Sequence, residues 1–307
     1  MISRRGFLPL AGGGLGWSLL RLALPSCAGA AELPMFRAAT SAALLADVNV
    51  NDARAAMHSW ADAVSTVTGM HIDYDRFFFC APGQLVELMR KSAVHAIGCT
   101  TREYLPLAPY VEPNTLLVDI TNGLHSYILL VHNESPFRSV ADLRGRPLSL
   151  YHNQTTCLAM DWLETLLNAS KLEPGERFFS TISEIPKLSR TVLPVFFHQA
   201  DACLVISRGF ETMCELNPQL GKALRPIASS PAFLTSIFGF HRDCPAALNA
   251  QFRTALMNLT KTATGKQLLS LFQSNALATR DVSVLRSAMT VVESAERIRQ
   301  RYAAGKS

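Results

Sequence analysis

Charge is scarce in this chain: 17% of its 307 residues are Asp, Glu, Lys or Arg, against 49% hydrophobic. A composition of that kind builds a buried core rather than a disordered segment, and the length is enough for two lobes. A basic surplus is also missing. The net charge is +5, but Arg4, Arg5 and Arg21 lie in the first 30 residues, which hold no acid. The remaining 26 basic and 24 acidic residues nearly balance. With no basic stripe interleaved with aromatics, nucleic acid is excluded as a partner. After residue 30 no apolar run reaches the length of a transmembrane span. GxSxG, HExxH, the P-loop and GxGxxG are all absent, so the common hydrolase, zinc-protease and nucleotide-cradle chemistries have no foothold. Neither a CxxC pair nor any other stapling pattern occurs. Cys80, Cys99, Cys157, Cys203, Cys214 and Cys244 allow about 15 pairings and read mostly as buried small hydrophobes. No cofactor and no metal is expected. His71, Asp73 and Asp75 would share a strand face, but a fourth ligand is missing nearby and the stretch reads as a solvated strand edge.

What is present begins with a leader. Ser3-Arg4-Arg5-Gly6-Phe7-Leu8 resembles a twin-arginine signature, an apolar run extends to Leu24, and Ala28-Gly29-Ala30 suits signal peptidase. Cleavage after Ala30 places the mature chain in the periplasm. Cys27 leaves lipidation open, although Pro25 makes a poor lipobox, and a retained anchor is the third alternative.

Alternating strands and helices fill the rest. Strands are expected at Phe36–Thr40, Met70–Tyr74, Val94–Cys99, Leu116–Ile120, Ser126–Val131, Leu148–Tyr151, Phe178–Ile182, Cys203–Val205 and Ile237–Phe240. Helices are expected over Asn51–Thr68, ended by Gly69, then Gly83–Lys91, Thr191–Phe197, Phe210–Leu216 and the stretch opened by Cys244-Pro245. The organising stretch runs from Ser139 to Leu167. It reads as a Gly145 corner, the strand Leu148–Tyr151, a polar loop, and a helix with Leu158, Trp162 and Leu166 on one stripe. Thr155 or Thr156 is the natural N-cap. A strand, a polar loop and a helix N-terminus together offer free N–H groups to an anion.

The phrase Ser139-Val140-Ala141-Asp142-Leu143-Arg144-Gly145, followed by a strand and Thr155-Thr156, resembles the second-lobe entry of phosphate/phosphonate-type ABC transporter solute-binding proteins. Their order of motifs recurs along most of the chain. The resemblance implies an α/β, two-lobed type II periplasmic-binding-protein fold, each lobe a mostly parallel sheet flanked by helices, with a ligand cleft between. Lobe one would comprise residues 31–130 and 240–307, its C-terminal helices packed back onto it, and lobe two residues 131–239. The implied function is non-catalytic: capture of a small oxyanion and delivery to an ABC permease, as a monomer peripheral to the membrane. A sensory receptor for a kinase or chemoreceptor, and an exported enzyme on the same fold, remain alternatives. The implied ligand-binding residues are Thr155 and Thr156 in lobe two, Thr100, Thr101 and Tyr104 in lobe one, and Ser189, Arg190, Arg208 and Ser236. Relatives that take aminoalkyl phosphonates carry acids where Arg208 and Ser236 stand here. An ammonium is therefore expected to be disfavoured, and an inorganic oxyanion or a second anionic group favoured. His152, in the anion loop, reads either as a ligand contact or as a solvent-facing loop residue.

Overall fold

The computed structural model describes residues 35–45, 49–76, 78–271 and 274–304. The leader motifs, with Arg4, Arg5, Cys27 and the Ala28–Ala30 cleavage site, lie outside them. The strands are β1 (Met35–Thr40), β2 (His71–Asp73), β3 (Ala96–Thr100), β4 (Leu116–Asp119), β5 (Leu124–His125), β6 (Tyr127–His132), β7 (Pro147–Tyr151), β8 (Thr181–Ile185), β9 (Ala202–Ile206), β10 (Leu224–Ser229), β11 (Phe233–Leu234), β12 (Ser236–Phe240) and β13 (Leu277–Arg280). β3 and β6 are buried along their whole length, the mark of central strands covered on both faces.

The two large sheets share one plan. In lobe one the order is β13-β4-β12-β3-β1-β2, with β2, β1 and β3 parallel and β12 antiparallel between β3 and β4. In lobe two it is β10-β6-β9-β7-β8, with β8, β7 and β9 parallel and β6 antiparallel between β9 and β10. Each lobe thus reads second, first, third, then a strand arriving from the other lobe, then fourth. The chain crosses twice, through β5 and β11, which pair antiparallel as Phe233 with His125 and Leu234 with Leu124. β6, Tyr127–His132, belongs to the second sheet, and β12, Ser236–Phe240, to the first.

Helix Val50–Thr68 starts where Asn49 Oδ1 accepts from the N–H groups of Asn51 and Asp52, and ends at Gly69 with φ 67°. That left-handed value suits glycine. Its Trp60 and Val64 pack with Phe252, Leu256 and Leu268 against one face of the first sheet, while Leu85, Met89, Tyr104 and Leu107 cover the other. In lobe two, Trp162, Leu163 and Leu167 cover one face, and Val192, Val195 and Phe210 the other. The C-terminal helix Arg286–Ala304 differs from expectation. Ala288 and Val292 enter the core of lobe two, while the same helix also lies along helix Thr101–Leu107 of lobe one, so it spans both lobes. Phe178 and Phe179, expected to open a strand, instead sit at the end of a short helical turn and bury both rings; β8 begins three residues on. Cys99, Cys157, Cys203, Cys214 and Cys244 are free thiols.

Candidate ligand-binding cleft

Ligands of open α/β sheets bind beyond the carboxyl ends of the strands. Here those ends meet across the crossing. In lobe one, β1 ends at Thr40 and β3 at Thr100, the N-cap of helix Thr101–Leu107. The Glu103 carboxylate folds back over that N-terminus. It accepts Thr100 N–H and Thr100 Oγ1–H, both at 2.8 Å, and Ser41 Oγ–H at 2.6 Å. The capping box thereby supplies lobe one with its own fixed anion. Thr101 donates its N–H to the Thr235 carbonyl at 2.8 Å, and its buried hydroxyl has no hydrogen-bond partner among the described residues. Tyr104 is 2% exposed and belongs to the core between helix and sheet, so its ring presents no surface to a ligand.

In lobe two, β7 runs into a one-turn helix, Gln154–Thr156, whose cap is Asn153 rather than either threonine. Asn153 Oδ1 accepts Thr155 N–H at 2.9 Å, Thr156 N–H at 3.2 Å and Thr155 Oγ1–H at 2.7 Å. Thr156 Oγ1 returns a bond to the Asn153 carbonyl at 3.0 Å. A neutral amide oxygen therefore occupies the point on which the turn's donors converge. The long helix begins only at Ala159.

A cavity of about 180 Å³ lies in lobe one and reaches Gln154 of the lobe-two turn. Its polar members are Thr40, Asp119, Gln154, Ser236 and Ser274, and Gln154 comes from lobe two. Its walls, among them Trp60, Ile72, Phe238, Phe252, Leu256 and Leu268, lie between the first sheet and its helices. Of the residues proposed from the sequence, Ser236 lines this cavity, and Thr155 and Thr156 adjoin Gln154. Ser189 and Arg190 are exposed on helix Leu188–Phe196 and do not line it. Arg208 stands at the start of helix Ser207–Leu216, its Nη1 2.6 Å from Asn122 Oδ1, and also lies outside the lining. His152 is exposed, with Nδ1 3.3 Å from Glu184 Oε2. Thr40, Gly98, Asp119, Gln154 and Trp60 escaped the reading of the sequence. For Thr40 and Asp119 the signal was available, because Thr40 ends an expected strand and Asp119 lies one residue before the end of another.

A family model described as ABC transporter, phosphonate, periplasmic substrate-binding protein matches residues 42–283. The chain belongs to this family. Among solved structures, this phosphonate-type binding protein is similar to XAC2383 from Xanthomonas citri, in a chloride-bound form: TM-score 0.64, 13% identity, covering 87% of this chain and 99% of that one. PhnD1 from Prochlorococcus marinus in complex with methylphosphonate gives 0.59 at 12%, covering 86% and 98%. The periplasmic aliphatic sulphonate binding protein SsuA from Escherichia coli gives 0.50 at 11%, covering 88% and 93%. At such identities the likeness is one of fold. No curated protein matches the sequence.

Beside the binding protein's cleft one buried charge is matched across the two lobes. Asp161 of lobe two, 1% exposed, lies 3.3 Å from Arg102 Nε of lobe one and 2.9 Å from Arg299 Nη1 of the C-terminal helix. Burial pushes its carboxyl up, and the two guanidiniums pull it back down. Burial pushes the Cys157 thiol, beside the Thr235 carbonyl, up to about 12, so it stays protonated and unreactive. His125 at the crossing is held below the usual imidazole range, first by burial and then by Arg208. No helix among the described residues is long and apolar enough to cross a membrane.

Proposed function

We propose that this periplasmic binding protein captures a small ligand bearing a tetrahedral oxyanion, such as a phosphonate, phosphate or phosphite, and delivers it to an ABC permease without turnover. It does so as a monomer, released into the periplasm after removal of a twin-arginine leader at Ala30. The observation that carries the reading is the Gln154–Thr156 turn, whose two amides and one hydroxyl already converge on one oxygen, Asn153 Oδ1. A ligand oxygen that displaced this uncharged amide would gain charge-assisted hydrogen bonds of roughly 1.5–3 kcal/mol each. The matching turn of lobe one is filled by the Glu103 carboxylate, so the oxyanion belongs to lobe two and the rest of the ligand to lobe one. Methylphosphonate on PhnD1 and an aliphatic sulphonate as SsuA's named ligand both carry such a head on carbon. Titration calorimetry with methylphosphonate tests the reading. Replacing Thr155 and Thr156 together by Ala should weaken binding at least tenfold while the thermal transition stays cooperative. Unchanged affinity would move the oxyanion elsewhere.

A further inference from the structure

The cavity beside the turn is built for something other than an oxyanion. Among its lining residues there is no Lys or Arg, and one member, Asp119, carries a negative charge. Asp119 is held in place by the N–H and hydroxyl of Thr121, each at 2.7 Å, and by the N–H of Asn122 at 3.1 Å. An inorganic dianion placed here would meet a carboxylate and a wall of Trp60, Phe238, Phe252, Leu256 and Leu268, with nothing to balance it.

Two further observations point to an occupant. Gly98 lines the cavity from the middle of β3, yet nothing in the backbone demands glycine there. A Cβ at that position would meet Leu44, Phe238 and Thr40 at 3.4, 3.6 and 3.9 Å, ordinary contacts all. The missing methyl leaves the cavity wider. Ser274 also lines the cavity, next to the strand that pairs Leu277 with Asp119. Its side chain is 6% exposed, and Oγ has no hydrogen-bond partner among the described residues. A buried hydroxyl without a partner implies an absent one.

We infer that the cavity seats an apolar substituent of the ligand, so that the solute is an organic oxyanion with a ring or branched chain of about six carbons, the size an apolar cavity of similar volume accepts. Its oxyanion lies at the lobe-two turn and its body inside lobe one. This inference rests on the proposed function for the head group, while the cavity supplies the tail.

The test is calorimetry on the mature protein with four probes: inorganic phosphate, methylphosphonate, phenylphosphonate and benzyl alcohol. Phenylphosphonate should bind at least tenfold more tightly than methylphosphonate. Gly98→Ala should lower that ratio severalfold, and it should fold, since its added methyl meets only ordinary contacts. Trp60 gives a local readout. In a Trp162→Phe background it is the one tryptophan left after residue 30, and phenylphosphonate should shift its emission. Methylphosphonate or phosphate binding as tightly as phenylphosphonate would overturn the inference and leave the proposed function standing. Benzyl alcohol binding as tightly as phenylphosphonate would support the cavity and overturn the oxyanion. Phenylphosphonate binding with an unmoved Trp60 emission would place the ring elsewhere and overturn the inference.

Discussion

Single residues show where chemistry is legible in a sequence and where it is hidden. Thr155 and Thr156 were visible as the polar opening of a helix. That Asn153 caps them was not, because Asx and Thr caps compete within two positions and only the fold decides between them. Tyr104 was hidden for another reason. A helix of seven residues carries too little period to say which face meets the sheet, and Tyr104 faces inward. His198 adopts φ 57°, a left-handed value uncommon outside glycine, which no local pattern announces. Glu164 offers a prediction at this scale. It is 2% exposed, accepts the Gly175 N–H at 3.2 Å, and has its carboxyl pushed up by burial, with the Gly175 amide opposing. A raised acid binds its proton more tightly when folded, so its stabilising contribution is complete below the unfolded value of about 4.3 and is lost as pH rises through the folded one. Glu164→Gln should therefore flatten the fall of melting temperature with pH across that window. Parallel curves for the two proteins from pH 4 to 8 would refute it.

Elements were read best where period and punctuation agreed. Helix Val50–Thr68 lies within a residue of expectation because Asn49 and Gly69 mark its ends. β8 slipped because two adjacent phenylalanines resemble a strand, although Pro174 and Gly175 begin a helical turn before them. The reach of helix Arg286–Ala304 into lobe two is a long-range fact that no local pattern encodes. Its ion pair to Asp161, with Arg102 completing the set, ties three elements from both lobes around one buried carboxylate. Replacing Arg102 and Arg299 together by Ala should cost roughly 3–5 kcal/mol, since the carboxylate is left buried and unpaired, and each single change should cost less. Urea unfolding at pH 7 measures this. Asp161→Asn placed on the double variant should recover most of the loss, and failure to do so would mean that packing by the arginine stems, not charge, holds the junction.

At the scale of the molecule, the sequence disclosed the family and the two-lobed α/β plan, and the order of motifs carried both. The cavity it could not disclose, because Trp60, Gly98 and Phe252 lie far apart in the chain and each alone reads as core. Two predictions belong here. The exported protein should begin at Ala31 by N-terminal sequencing, and a lipid-bearing start at Cys27 would refute cleavage after Ala30. Saturating ligand at 100 times its Kd should add about 2.7 kcal/mol to stability, with one cooperative transition, since both lobes hold it. Two separate transitions would show that the lobes melt independently. The cavity walls are also the packing core of lobe one. Evolution must therefore settle ligand choice and foldability with the same side chains on that side, whereas the half-buried lobe-two turn stands outside that core and varies at less cost. Lineages of such receptors should diverge quickly in the head groups they accept and slowly in the bodies attached to them, each change of body needing a compensating change elsewhere in lobe one.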